Sequence, residues 1–351
     1  MENDYYICRH EQNEGILNKK TNKRYATTLL ALTETENFDD LVGYTDLTLP
    51  SVPEQELYQL YQDRFEDLRH KNDYLELWWS GGYDSTNILE VSMSCGKPVD
   101  AITMYCRGDP FKDNTGANAE LNANIWHVNK YLSAFPKTKI NLLDIDDMYE
   151  IERRNTKDYQ RWTWASPYGM LEDIARLSAD ALMPERHNQQ GTIITGKGYG
   201  GVVYNQNFDV WSYYCPALDM NYPGAFSEQL PITRFYSEGR IIRKTCGHAR
   251  QWFYRQRPDF EKTWSTTEKS DHDNSIRYPA LAGKIMHCGK GDNWQTNQKF
   301  SHIFSDDKSV YWEYWEFIDW LDKKLSPGCY TSGTTWVGNM LRQVEPAVID
   351  F

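Results

Sequence analysis

The stretch Leu75–Leu89 reads Leu-Glu-Leu-Trp-Trp-Ser-Gly-Gly-Tyr-Asp-Ser-Thr-Asn-Ile-Leu, and it constrains the fold more than any other. Leu75 to Trp79 is short, apolar and aromatic, as a buried strand requires. Gly81 and Gly82 follow at once, and glycine permits both a sharp turn and close approach of a ligand to the backbone. Asp84, Ser85 or Thr86 then caps a helix that runs through Ile88, Leu89 and Val91. A strand, a tight glycine turn and a helix N-terminus aim backbone N–H groups and the positive end of the helix dipole at one point. That combination is an anion site.

The flanking sequence extends the pattern. Ser51-Val52-Pro53-Glu54 reads as a capping box, and Leu57, Leu60, Tyr61, Phe65 and Leu68 recur at helical spacing. The helix after the glycine turn stops near Gly96 and Pro98. Strands are predicted over Val99–Cys106, Lys139–Ile145 and Gly191–Thr195, with helices over Ala117–Leu132 and Ser166–Leu182. This β-α-β-α-β-α-β order predicts an α/β fold, a parallel sheet with helices on both faces. Ligands in such sheets bind beyond the carboxyl ends of the strands. The glycine loop, Tyr105, Asp146 and Gly196 all follow strands, so they are expected to share one cleft.

At the amino end, residues 1–50 read as an extension, with Tyr5–Cys8 and Tyr25–Leu32 pairing as a hairpin around a polar Glu14–Lys23 loop. Residues 51–205 form the α/β domain. Residues 206–351 read as an aromatic-rich, mainly helical lid: Asn205–Arg240 is loop-like, Lys244–Tyr254 is helical, and Asp306–Leu325 is a helix ended by Pro327.

A mean hydropathy of −0.73 looks polar for a chain with a core. The 24 Tyr, 13 Trp and 13 Phe compensate, because each aromatic buries a large area. The formal charge is −12, from 38 basic and 50 acidic residues, which disfavours duplex nucleic acid but leaves a local groove for tRNA open. Seven scattered cysteines, an odd count, favour a reducing compartment, and with no membrane span or signal-peptide core the expected location is cytoplasmic. The sequence does not fix the oligomeric state.

Ser80, Gly81, Gly82, Asp84 and Ser85 match the Ser-Gly-Gly-x-Asp-Ser loop of the PP-loop ATP pyrophosphatases, with Thr86 also common there. The chain resembles that superfamily, whose fold is HUP-like and whose members include asparagine synthetase, GMP synthetase and tRNA-modifying enzymes. In layout Ser51–Asn205 is similar to the synthetase domain of asparagine synthetase. The resemblance implies ATP as cofactor, bound by Ser80, Gly81, Gly82, Tyr83, Asp84, Ser85 and Thr86, with adenine near the backbone of Met104 and Tyr105. Gly196 and Gly198 would form a second phosphate-side loop.

Splitting ATP between its α and β phosphates needs a pyrophosphate cradle, charge neutralisation and an in-line nucleophile. The glycine loop is the expected cradle. Asp84 is the expected Mg²⁺ ligand, since Mg²⁺ takes few carboxylates beside phosphate oxygens, although helix capping is the other reading of this residue. Asp84 and Lys197 are the expected catalytic residues, with Arg107, Lys284 and Lys290 as reserve cations. Gly196, Gly198 and Gly201 also spell G-x-G-x-x-G, but no helix follows, so a dinucleotide fingerprint is the weaker reading.

The departures from asparagine synthetase matter. Its Gly-Glu-Gly-x-Asp-Glu loop has Lys197 and Gly200 where two of its acids stand. Its glutaminase domain is not expected here, since Glu2 follows the initiator methionine and the loop begins at Ser80. The expected reaction is adenylation of a carboxylate- or amide-type small molecule and transfer to a nitrogen nucleophile. The alternatives are a silent nucleotide-binding protein and a tRNA- or base-modifying enzyme. Asp144, Asp146 and Asp147 read equally as ligands or as a solvated helix start. Cys246, His248, His287 and Cys288 fit no standard zinc spacing. Trp162, Trp164, Trp211 and Tyr213 read as core aromatics before base-stacking ones.

Overall fold

The computed structural model describes residues 14–25, 34–35, 40–45, 51, 53–112, 118–144, 146–147, 182–183, 189–196, 201–205, 210–214 and 232–256. Its centre is a parallel sheet of five strands: β4 (Tyr74–Trp78), β5 (Ala101–Cys106), β6 (Lys139–Asp144), β7 (Gly191–Thr195) and β10 (Ile232–Arg234). Their spatial order is β10-β7-β4-β5-β6. The first strand in sequence is thus in the middle. The chain builds outward on one side through β5 and β6, then crosses to the other through β7 and β10. The reversal falls between β4 and β7, which pair directly from Tyr74↔Gly191 to Trp78↔Thr195.

The sheet's two faces differ because side chains alternate along each strand. One face carries Leu75, Leu77, Ile102, Met104, Cys106 and Ile194, all buried in one apolar cluster. The flanking helices fill this face. In α1 (Leu57–Lys71), the stripe Leu57, Leu60, Tyr61, Phe65 and Leu68 is 0–5% exposed, and each such side chain contributes about 1.5–3 kcal/mol. Ile88, Leu89 and Val91 of α2 (Tyr83–Cys95), Leu121, Val128 and Tyr131 of α3 (Ala119–Ala134), and Ile241 of α4 (Gly239–Gln256) join the cluster. The other face is polar at its centre. Glu76 is fully buried there, and its carboxylate accepts from Trp78 Nε1 (2.7 Å), Thr103 Oγ1 (2.8 Å) and Tyr74 OH (3.2 Å). Those donors offset the cost of burying the group.

The amino end of the sheet is tied by Arg69, which donates to the carbonyls of Asn72 and Asp73 and pairs with Asp100 at 2.5 Å. Asp100 in turn accepts from the Leu75 N–H at 2.8 Å, so α1, β4 and β5 meet at one carboxylate.

Several boundaries differ from the sequence reading. The Glu14–Lys23 segment is not a loop: β1 (Glu14–Asn18) and β2 (Lys23–Tyr25) pair antiparallel, and β3 (Leu41–Thr45) adds on the far side of β1. The turn is nucleated by Asn18, whose side chain accepts from the N–H groups of Lys20 and Thr21 at 3.0 Å, and Asn22 takes a left-handed φ of 56°. Tyr5–Cys8 lies outside the described residues. Helix α1 starts after Glu56, so Ser51 is not its N-cap.

Helix α2 starts after Gly82, ahead of all three expected caps, so Asp84, Ser85 and Thr86 lie within its first turn. The expected stop is where it was read: Gly96 is left-handed and donates to Met93 O, and Lys97 N–H donates to Ser92 O.

The stretch read as loop-like holds β9 (Val210–Tyr214), paired antiparallel with β8 (Gly201–Asn205), and β10. The parallel sheet therefore continues past position 205. Helix α4 opens five residues before the reading, at Gly239, where Glu238 accepts from Ile241 N–H at 3.0 Å. The helices read over Ser166–Leu182 and Asp306–Leu325 lie outside the described residues, Leu182 apart. No helix among the described residues is long and apolar enough to cross a membrane.

Candidate phosphate-binding site

The glycine loop leaves β4 at the sheet's carboxyl edge, beside the strand-order reversal where open α/β sheets form their ligand crevice. Trp79 N–H donates to Thr103 O at 2.9 Å and fixes the exit direction. Gly81 takes φ 84°, open to glycine and strained for other residues. Gly82 is the N-cap of α2, with φ −77° and ψ 172°, and it brings no side chain to close the helix end. The first helical bond runs from Thr86 N–H to Gly82 O at 3.1 Å. The turn thus presents the start of α2 and its dipole to the crevice.

Ser80 and Ser85 brace the turn from within. Their hydroxyls lie 3.3 Å apart, Ser80 N–H donates to Ser85 Oγ at 3.2 Å, Gly82 N–H to Ser80 Oγ at 3.3 Å, and Ser85 Oγ to Gly82 O at 3.3 Å. Ser85 is 3% exposed, so its hydroxyl belongs to the loop's own framework. The Thr86 side chain is fully buried and accepts from Trp79 Nε1 at 3.0 Å, which makes it part of the packing beneath the loop. Tyr83 and Asp84 are half-buried in the first turn.

Gly196 directly follows β7 and lies against this turn. A Cβ built there would lie 2.7 Å from Asp84 Cβ and 2.8 Å from Ser85 N. Only a glycine lets the β7 loop approach this closely, so the structure brings Gly196 and Asp84 together. Lys197 and Gly198 lie outside the described residues, as do Lys284 and Lys290.

Strand β5 pairs with β4 only as far as Trp78↔Thr103 but with β6 through Cys106↔Asp144. The backbone of Met104 and Tyr105 therefore passes the end of β4 and borders the crevice. The Met104 side chain is fully buried on the helical face, so Met104 itself offers only its main chain there.

Arg107 pairs with Asp146 at 2.9 Å. Asp144 accepts from the N–H groups of Gly108 (2.8 Å) and Asp146 (2.9 Å), and Asn118 bonds the Arg107 backbone twice. Of the three acids left open in the sequence, Asp144 and Asp146 thus shape the loop after β5, and Asp147 is exposed.

Sequence reasoning missed two residues that hold the first turn. Asn124 of α3 donates to Gly81 O at 2.8 Å, and the Tyr236 phenol donates to Asp84 O at 2.8 Å while accepting from Asn87 Nδ2 at 3.0 Å. They stand 43 and 152 residues away in sequence, so no local motif announces them. Among the described residues no three His, Cys, Asp or Glu side chains gather into a metal cluster. A carboxylate such as Asp84 beside the candidate phosphate cradle fits Mg²⁺, which takes one or two carboxylates and draws its remaining ligands from phosphate and water.

No protein-family model matches the chain, and no curated protein matches it. Solved structures similar to parts of it include NMN synthetase from Francisella tularensis, at 10% identity and a TM-score of 0.27, over 39% of this chain and 52% of that one. The match therefore spans about half of that structure. An NH3-dependent NAD synthetase from Campylobacter jejuni, in complex with nitrate, aligns at 12% identity over 77% of this chain and 95% of its own, TM-score 0.31. The U34-tRNA thiolase NcsA from Methanococcus maripaludis, with its 4Fe-4S cluster, aligns at 13% identity over 70% and 87%, TM-score 0.30.

Proposed function

We propose that the protein is an ATP-dependent ligase of the PP-loop type. It binds Mg-ATP, adenylates an oxygen of a carboxylate- or amide-type small molecule, releases pyrophosphate, and passes the activated group to a nitrogen nucleophile. The observation that carries the reading is the Ser80–Ser85 turn itself. A Ser-Gly-Gly-x-Asp-Ser sequence lies at the carboxyl end of the central strand, at the strand-order reversal, with Gly196 pressed against its first helical turn.

In this scheme the main-chain N–H groups at the start of α2 receive the β and γ phosphates, and the helix dipole stabilises the charge that the leaving pyrophosphate gathers. Asp84 would hold Mg²⁺, which when bound neutralises phosphate charge. The Met104–Tyr105 backbone offers adenine its hydrogen bonds. Lys197 supplies the cation for the transition state. The oxygen nucleophile attacks the α-phosphorus from the side opposite the cradle, and the α–β bridging oxygen leaves with pyrophosphate.

Product analysis tests this. With Mg-ATP and a panel of carboxylic acids plus ammonia or an amine, the expected products are AMP and pyrophosphate. Formation of ADP and phosphate instead, or full activity in Asp84→Ala, would refute the scheme. Tight ATP binding with no turnover on any acceptor would favour a silent nucleotide-binding protein, the reading that Lys197 and Gly200 motivate.

A further inference from the structure

We infer that Asn124 is a positioning residue for the glycine loop, holding the Gly81 carbonyl inward so that the Gly81–Gly82 peptide turns its N–H end toward the crevice. The inference rests on the proposed function and deepens it at the same site.

A peptide between two glycines has few steric barriers, because neither residue has a Cβ to restrict it. Gly81 and Gly82 form such a peptide at the mouth of the proposed cradle. Its two orientations have opposite consequences for an anion. With the carbonyl inward, the amide dipole turns its positive end outward. With the peptide flipped, a carbonyl oxygen faces the phosphate and repels it. Sequence alone does not choose between them.

The structure supplies the choice. Asn124 is fully buried, and its Nδ2 donates to Gly81 O at 2.8 Å. The partner is a carbonyl, so only the amide's nitrogen end can face it. The opposite end of the same peptide is held less tightly, since Gly82 N–H reaches Ser80 Oγ at 3.3 Å. The short bond fixes the carbonyl and, through the planar peptide, the direction of the N–H; the long bond to Ser80 Oγ is the one a phosphate oxygen would replace.

Asn124 is itself fixed. It lies on the inner side of α3 with Leu121 and Val128, both buried in the core cluster. One turn on, His127 Nδ1 meets Glu90 Oε1 of α2 at 2.9 Å, which ties α3 to the helix that the loop begins. The peptide's orientation is therefore set by the neighbouring βα unit.

The test is Asn124→Asp, nearly equal in volume. An ionised carboxyl cannot donate and repels the Gly81 carbonyl. Calorimetric titrations use magnesium pyrophosphate, which probes the cradle, and AMP, which probes the nucleoside side, with thermal melting as a check on folding. Pyrophosphate affinity should fall about tenfold or more, while AMP affinity stays within about twofold. The deficit relative to the unsubstituted protein should shrink as pH falls, because a protonated carboxyl regains a donor for Gly81 O.

If Asn124→Asp does not fold, Asn124→Ala takes the same two titrations with the same expected split. A folded variant that binds pyrophosphate as the unsubstituted protein does, or loses pyrophosphate and AMP affinity in parallel, overturns the inference alone. If the unsubstituted protein binds neither ATP nor pyrophosphate, the proposed function falls and the inference falls with it.

Discussion

Two glycines at opposite ends of β7 show how single residues set the site. At Gly191 a Cβ would stand 1.8 Å from the Tyr74 carbonyl oxygen, and at Gly196 it would stand 2.7 Å from Asp84 Cβ. Both substitutions to alanine force backbone apart, and overpacking of this kind costs about 1–3 kcal/mol or more. Their consequences for binding should differ. Gly196→Ala pushes the first turn of α2 away and should weaken Mg-ATP binding at least about tenfold. Gly191→Ala acts at the amino edge, so the protein that remains folded should bind ATP normally. Melting curves paired with ATP titrations separate the two; equal losses of affinity would mean that closeness at Gly196 has no special role. Tyr236→Phe is a finer probe. It keeps a ring packed edge-on against Tyr61 at 5.4 Å but removes both the bond to Asp84 O and the acceptor of the buried Asn87 Nδ2. A stability loss of about 1–3 kcal/mol is expected, read as a lower urea midpoint with an unchanged slope.

At the scale of elements, Tyr131 joins three of them. Its phenol in α3 accepts from Val99 N–H ahead of β5 at 2.7 Å and lies 2.7 Å from Ser92 Oγ in α2. Burial pushes its pKa up to about 12. The folded state therefore keeps the proton after the unfolded chain has released it near pH 10. The resulting stabilisation is fully present below pH 10 and is lost as pH rises toward about 12, a change on the order of 3 kcal/mol. Denaturant midpoints across that range should fall, and Tyr131→Phe should flatten the decline; an identical slope in the variant would contradict this.

The same elements show what was legible. Strand β7 and the Gly96 stop could be read because an apolar run bounded by glycine and a left-handed cap are local signals. The stripe of α1 was legible for the same reason. Strand β10 was not: three residues carry no period, and its place comes from parallel pairing with Ile193–Thr195, fixed only when the chain folds back. The β1–β2 hairpin was hidden by its polar residues, since its turn is held by an Asn side chain and backbone bonds. Asn124 and Tyr236 were invisible as site residues because each looks like an ordinary buried position until the loop it holds is in place.

On the scale of the whole molecule, the central strand, the strand-order reversal and the two glycine-ended strands converge on one carboxyl edge. In the proposed function this edge grips the triphosphate of ATP at the start of α2. The most direct measurement is a crystal structure with magnesium and α,β-methylene-ATP, which cannot be cleaved at the inner bridge. The β and γ phosphates should lie within about 3 Å of main-chain N–H groups at Gly82 and the first turn of α2, with adenine against Met104 and Tyr105. A nucleotide bound elsewhere, or this turn left empty at saturating ligand, would contradict the account.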